Sequence, residues 1–269
     1  ILLFFNLMGA QDLSLDLGEL MEGKYDPNRL EAIRSMRNGE YYTVLEEDKT
    51  LNTNSLVSYA YSNTLERKVL IDSNRFPEKN KISGYTFSND EQKILFETLT
   101  DNIYRRSKQA IYWIYDIKTN SLEKLFDQKV QEPLFSPDGS KVAYVYRRNL
   151  FIKNLELDIV KQITHDGDYQ TINGITDWVY EEEFGFVRAF DWSQDSNQIV
   201  YMRFDESNVP IFSMDVYGNQ TYPFPYMFRY PKAGEENSKI ELIIYNTSSQ
   251  TKETIDFENE TPYYIPRIQ

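Results

Sequence analysis

Three segments of the chain repeat one turn-and-strand pattern, and that repetition constrains the fold more than any other feature. Tyr85–Phe96 reads YTFSNDEQKILF, Leu134–Val145 reads LFSPDGSKVAYV and Phe190–Met202 reads FDWSQDSNQIVYM. Each carries an aromatic residue, a serine (Ser88, Ser136, Ser193), an aspartate two positions on, and then a β-rich apolar run. Small polar side chains at such positions reverse the chain by bonding their own backbone. The strand that follows is expected to alternate across a half-buried sheet face, as at Val142 and Tyr144.

A second element recurs out of phase with the first. Tyr112–Leu125, Leu150–Ile163 and Leu242–Ile255 each read as a strand, an Asp or Asn, a polar turn and a returning strand, with Ser55–Leu70 a looser copy. Turn-strand-strand-turn units at roughly 40–50 residues are the signature of a β-propeller, against the alternative of a generic antiparallel sandwich. The expectation is an all-β chain: an incomplete β-propeller of four-stranded antiparallel blades, about four to five of them. Thr261–Gln269 reads as the opening strand of a further blade, leaving an unfinished ring with an open sheet edge.

Local signals fit this scheme. Asn38-Gly39 predicts a hairpin between Ala32–Arg37 and Glu40–Leu45, and Asp16–Met21 predicts a short helix. One insertion breaks the period. Phe204–Tyr230 is too long for a blade turn and is rich in aromatics, so residues 205–229 are expected to form an arm, with Phe212, Tyr217, Phe224 and Tyr226 meeting a partner subunit. The alternative is an arm folded back on its own blade. At the start, apolar Ile1–Leu7 followed by Gly9, Ala10, Gln11 and Asp12 predicts the remnant of a secretory signal peptide over residues 1–10, cut after Ala10. That implies export, to a periplasm or cell envelope, and leaves residues 11–269 as partial propeller.

Composition removes whole classes of chemistry. Of 269 residues, 29 are Lys or Arg and 42 are Asp or Glu, a formal charge of −13, which disfavours nucleic acid as a partner. Cysteine is absent, so disulfides, thiolate metal sites and cysteine nucleophiles are excluded together. His165, the only histidine, lies in the Ile-Thr-His-Asp-Gly turn, and no G-x-S-x-G elbow accompanies it. Phosphate-loop, dinucleotide and zinc-helix motifs are also missing from the sequence. No cofactor and no metal are implied.

Two segments carry candidate chemistry. Asp177–Phe184 reads DWVYEEEF, with Thr176 or Asp177 placed to cap a short helix. Consecutive Glu181, Glu182 and Glu183 cannot share one helix face. Two of them can converge on a cation, whose charge relieves their repulsion: a metal, a guanidinium or an ammonium. The alternative is a solvated acidic run. Tyr104-Arg105-Arg106-Ser107 is a basic patch in an acidic chain. An arginine there can offer its fork of donors to a carbonyl or carboxylate, or simply pair with nearby carboxylates.

At these residues the sequence resembles the N-terminal propeller domain of dipeptidyl peptidase IV, in the prolyl oligopeptidase superfamily of serine peptidases. GITDWVYEEEF at Gly174–Phe184 is similar to that family's double-glutamate motif. YRRS at Tyr104–Ser107, followed by YDI at Tyr115–Ile117, is similar to the segment bearing its substrate-binding arginine. YPKAGEENSK at Tyr230–Lys239 is similar to the stretch after its dimerisation arm. The resemblance runs from about Asp12 to the end. It implies that Glu182 and Glu183 bind the α-ammonium of a peptide substrate with a free N-terminus, and that Arg105 holds the same end. Arg106 stands where relatives often carry His. It further implies eight blades in the closed ring, a homodimer, and release of Xaa-Pro or Xaa-Ala dipeptides. The catalytic triad is expected on a C-terminal α/β-hydrolase domain, so this stretch alone is expected to be inactive. A non-enzymatic propeller binding peptides or protein partners is the alternative. A propeller glycosidase fits less well, because its two carboxylates must flank a sugar bond.

Overall fold

The computed structural model describes residues 15–27, 32–77, 80–257 and 264–268. The expected signal remnant at residues 1–10 lies outside the described residues. The short helix forms at Leu17–Met21, and Asp16 caps it by accepting the Glu19 N–H at 2.9 Å.

Four antiparallel sheets follow in chain order. The first contains β1 (Arg34–Ser35), β2 (Tyr41–Asp48), β3 (Thr53–Ala60) and β4 (Arg67–Asp72). The second contains β5 (Gly84–Phe87), β6 (Lys93–Asn102), β7 (Lys108–Asp116) and β8 (Ser121–Lys124). The third contains β9 (Gln131–Phe135), β10 (Lys141–Tyr146), β11 (Asn149–Asn154) and β12 (Ile159–Gln162). In each, consecutive strands are neighbours, which is the up-and-down order of a propeller blade.

The fourth sheet departs from this order. Its innermost position is shared by β13 (Thr171–Asn173) and β14 (Phe190–Trp192), which pair with opposite ends of β15 (Gln198–Asp205). The expected arm appears next as a separate two-stranded hairpin, β16 (Ile211–Val216) and β17 (Phe224–Arg229). The blade then resumes with β18 (Lys239–Asn246), paired along the whole of β15, and β19 (Lys252–Thr254).

The three repeated turns are built alike. Ser88 Oγ donates to Asp90 Oδ1 at 2.6 Å and accepts the Lys93 N–H at 2.9 Å. Ser136 does the same with Asp138 and Lys141, and Ser193 with Asp195 and Gln198, at the same distances. The turns also touch from blade to blade. Ser196 Oγ accepts the Asp138 N–H at 3.0 Å, and Glu91 accepts the Arg37 N–H at 2.9 Å.

One expectation is corrected. The strands after the first two turns, β6 and β10, are buried on both faces rather than one, whereas β15 keeps the expected alternation over Gln198–Tyr201. On β6, Ile94 and Phe96 join a core shared with Leu56 and Ile71 of the first blade, while Leu95 joins a core shared with Val142 and Tyr144 of the third. On β10, Ala143 and Val145 point the other way, into the core of the fourth blade with Phe190, Tyr201 and Phe204. Blades stack face to face, so a central strand needs apolar side chains at successive positions. That is why KILF, AIYWIY and KVAYVY read as nearly continuous apolar runs.

Two further expectations are refined. At Asn38-Gly39 the hairpin forms, but only Gly39 takes a positive φ (70°), inside a longer loop closed by Met36 and Tyr41. Of the expected closing strand at 261–269, the described residues 264–268 form no ladder. They pack instead on Tyr180, whose hydroxyl accepts the Ile265 N–H at 2.8 Å. No helix among the described residues is long and apolar enough to cross a membrane.

Candidate functional site

The acidic run and the basic patch, far apart in sequence, meet at one place. The acidic run occupies residues 174–189, the excursion that splits the inner strand of the fourth blade. Gly174 starts it with φ of 78°, and a Cβ there would lie 3.1 Å from Val145, so the strand leaves the sheet at a residue that only glycine fits. The Ala189 N–H closes the excursion on the Gly174 carbonyl at 2.9 Å.

Within the excursion, Asp177 is the cap that the sequence allowed. Its Oδ1 accepts the Tyr180 N–H at 2.9 Å, and its Oδ2 accepts the Ser238 hydroxyl at 2.5 Å. Asp177 is buried, and burial pushes its carboxyl above the usual range against those bonds. Tyr180–Phe184 then forms a single π-helical turn, closed by the Gly185 N–H on the Tyr180 carbonyl at 3.1 Å, with Gly185 left-handed at φ 77°. One extra residue per turn fans the three glutamates in different directions, and such bulges recur at functional sites.

The three carboxylates have three environments. Glu181 is 2% exposed, and its Oε1 accepts the N–H groups of Arg106 (2.8 Å) and Ser107 (2.7 Å). Glu182 is half-buried, and its Oε2 lies 3.3 Å from Nε of Arg105. Glu183 is exposed and makes no ion pair among the described residues. The basic patch is the turn between β6 and β7. Ser107 closes it by accepting the Ile103 N–H on its carbonyl (2.8 Å) and the Tyr104 N–H on its hydroxyl (3.2 Å). Arg105 is three-quarters exposed, and Arg106 lies along the Gly185 end of the π turn.

Arg105 and Glu182 therefore meet on one rim. Glu183, the next residue of the π turn, is exposed. Behind the rim is a cleft of about 400 Å³, walled by Tyr104, Trp178 and Phe228, with Glu181, Arg148 and Glu206 on its polar side. Sequence reasoning missed Arg148 and Glu206, which stand 58 positions apart and carry no motif. Arg148 Nη1 is 3.1 Å from Glu206 Oε2. Burial pushes the Glu206 carboxyl up to about 7, with the Arg148 charge opposing and the buried Asp177 adding to the rise. Arg147 and Arg148 both hold positive φ, at 48° and 60°, in the tight β10–β11 turn.

The arm divides into a packed root and an open tip. Phe228 packs tilted and Tyr230 edge-on against Trp178, at 6.3 and 4.5 Å between centroids, and Phe228 also meets Tyr104 at 6.1 Å. Phe212 and Tyr226 are half-buried on that side, whereas Tyr217 and Phe224 are exposed. His165 is exposed in its turn. Among the described residues, no group of three or more His, Asp or Glu side chains is placed to hold a metal ion.

Comparison with known proteins identifies the family of the chain. The family model of the dipeptidyl peptidase IV (DPP IV) N-terminal region matches residues 88–269. "Probable dipeptidyl-aminopeptidase B" of Chaetomium globosum is 30% identical over 227 residues, covering 77% of this chain and 24% of that relative. "Prolyl endopeptidase FAP" of Mus musculus is 33% identical over 192 residues, covering 70% of this chain and 25% of that relative. The crystal structure of Porphyromonas gingivalis dipeptidyl peptidase 4 superposes with a TM-score of 0.82 at 36% identity, covering 95% of this chain and 37% of that one. The chain thus spans about a quarter of the length of the curated relatives it matches.

Proposed function

The chain belongs to the dipeptidyl peptidase IV N-terminal-region family, and from that premise we propose that it is the substrate-reading propeller of an exported serine dipeptidyl peptidase. Relatives described as dipeptidyl peptidases support the activity class. The observation that carries the reading is the contact of Arg105 with Glu182: Glu182 and Glu183 follow one another on one π turn, and Arg105 reaches Glu182 from another blade.

A peptide α-ammonium has a pKa of about 7.7–8.0, so it is largely cationic near neutral pH. Two carboxylates give it charge-assisted hydrogen bonds. The Arg105 guanidinium, already drawn to Glu182, is placed to take a backbone carbonyl of the same peptide end. Fixing the ammonium at a set distance from a nucleophile makes the enzyme count two residues from the N-terminus and release Xaa-Pro or Xaa-Ala. A hydrolase domain of the same protein supplies the serine, its base and the oxyanion hole. The exposed arm tip is offered to a second copy.

The test is release of a chromogenic Xaa-Pro dipeptide by the intact protein, from free and from N-acetylated substrate. Cleavage of the free form alone supports the reading. Equal cleavage of both removes the role given to the glutamates. No cleavage by a folded protein points to a binding propeller instead.

A further inference from the structure

Glu181 receives no role from the family resemblance, yet it is the most deeply set carboxylate of the three. Its side chain does not reach the rim. It turns inward and binds two consecutive backbone N–H groups, those of Arg106 and Ser107, 75 and 74 positions away. Successive N–H groups converging on one oxygen form an anion-binding concavity, and here the bound anion is the protein's own carboxylate. The bond joins the two segments that build the site: the excursion carrying Glu182 and Glu183, and the turn carrying Arg105.

The turn depends on this contact. Its four ends of hydrogen bonding are the Ile103 and Tyr104 N–H groups, held by Ser107, and the Arg106 and Ser107 N–H groups, held by Glu181. Arg105 sits between the two pairs and is itself three-quarters exposed, so its backbone and its one contact with Glu182 at 3.3 Å fix where its guanidinium points. We infer that Glu181 is a positioning residue, clamping the 103–107 turn against the π turn so that Arg105 and Glu182 face one peptide terminus. The inference rests on the reading that Arg105, Glu182 and Glu183 hold that terminus.

The test uses the intact protein and two substrates, a free Xaa-Pro chromogenic dipeptide and its analogue with hydrogen in place of the α-amino group. Glu181→Ala removes the one acceptor of both N–H groups, and a misplacement near 1 Å costs up to about 100-fold. The expected result is a 10- to 100-fold lower kcat/KM, in the order of that estimate, for the free substrate and little change for the analogue. Glu181→Gln keeps an oxygen for both N–H groups and should preserve the selectivity to within about threefold, since neutral and charged acceptors differ by a modest factor. An alanine variant that unfolds, or that loses rate equally on both substrates, makes Glu181 a purely structural brace and overturns the inference. Glu182→Gln and Glu183→Gln separate the two readings. If they leave the selectivity intact, the site assignment itself fails. If they abolish it while a folded Glu181→Ala retains it, only the positioning role fails.

Discussion

Arg148 and Glu206 pair on the polar wall of the cleft, Nη1 to Oε2 at 3.1 Å. The pair ties the β10–β11 turn of the third blade to the first residue after β15, where the chain leaves the fourth blade for the arm. Arg148 Nη1 also donates to the Asp168 carbonyl at 3.1 Å, so its guanidinium is held by two acceptors while its backbone is left-handed at φ 60°.

Glu206 should make stability fall as pH rises. Its carboxyl is raised from 4.5 to about 7, because burial outweighs the Arg148 charge, so the folded state holds a proton that the unfolded chain has released. The stabilisation is complete below pH 4.5 and is lost as pH rises through about 7, an effect of order 3 kcal/mol. Glu206→Gln is expected to flatten this decline in thermal denaturation of the intact protein between pH 5 and 8. An unchanged slope in the variant would contradict the assignment.

The repeated turns should show the opposite sign. Burial works against ionisation of Asp138, but bonds from Ser136 and Ser140 outweigh it and hold its carboxyl at about 2. Its contribution is present above pH 3.8 and disappears as pH falls through about 2. Asp138→Asn should therefore destabilise at pH 7 and cost little near pH 2. Ser136→Ala leaves the Lys141 N–H without the acceptor that the fully buried Ser136 supplies and should cost about 1–3 kcal/mol in urea unfolding. Ser193→Ala, at an exposed turn, should cost less.

Substrate reading should depend on the two outer glutamates. Glu182→Gln and Glu183→Gln each weaken a charge-assisted bond worth about 1.5–3 kcal/mol, so kcat/KM for a free-N-terminus substrate should drop roughly 10- to 100-fold. Steady-state kinetics on the intact enzyme decide it, and wild-type efficiency in both variants would exclude the ammonium site.

The arm makes separable predictions for its tip and its root. Tyr217→Ser with Phe224→Ser changes only exposed side chains, so assembly mass by light scattering should fall while the melting temperature holds. Phe212→Ser removes contacts with Phe228 and Tyr230 at 5.8 and 5.6 Å and should lower the melting temperature as well. A tip variant with undiminished mass would show that the arm is not the contact between copies.

Much of the fold was legible because its signals are local. Ser88, Ser136 and Ser193 act within five residues of themselves, so their turns could be read directly from the chain. The double burial of β6 and β10 was not legible in the same way. An apolar residue at every position fits a sheet covered on both sides, but the covering blades lie elsewhere in sequence. At the site, the glutamate run and the arginine turn were both recognisable, and Asp177 announced its cap by standing three positions before Tyr180. Nothing near Glu181 in sequence marks it as the one glutamate turned inward.

The all-β repeat, the serine turns that set its period, and the two charged segments at the site are all written locally along the chain. These are short-range properties, fixed by backbone bonding and by side-chain type. Which charges meet is set by packing between blades. That packing placed Glu181 on the backbone of Arg106 and Ser107, left Glu182 beside Arg105, and buried Glu206 against Arg148. Such pairings depend on how neighbouring blades pack and on where the inner strand of the fourth blade opens. Burial then sets what each carboxylate can do, because the cost of a charge depends on the water removed from around it.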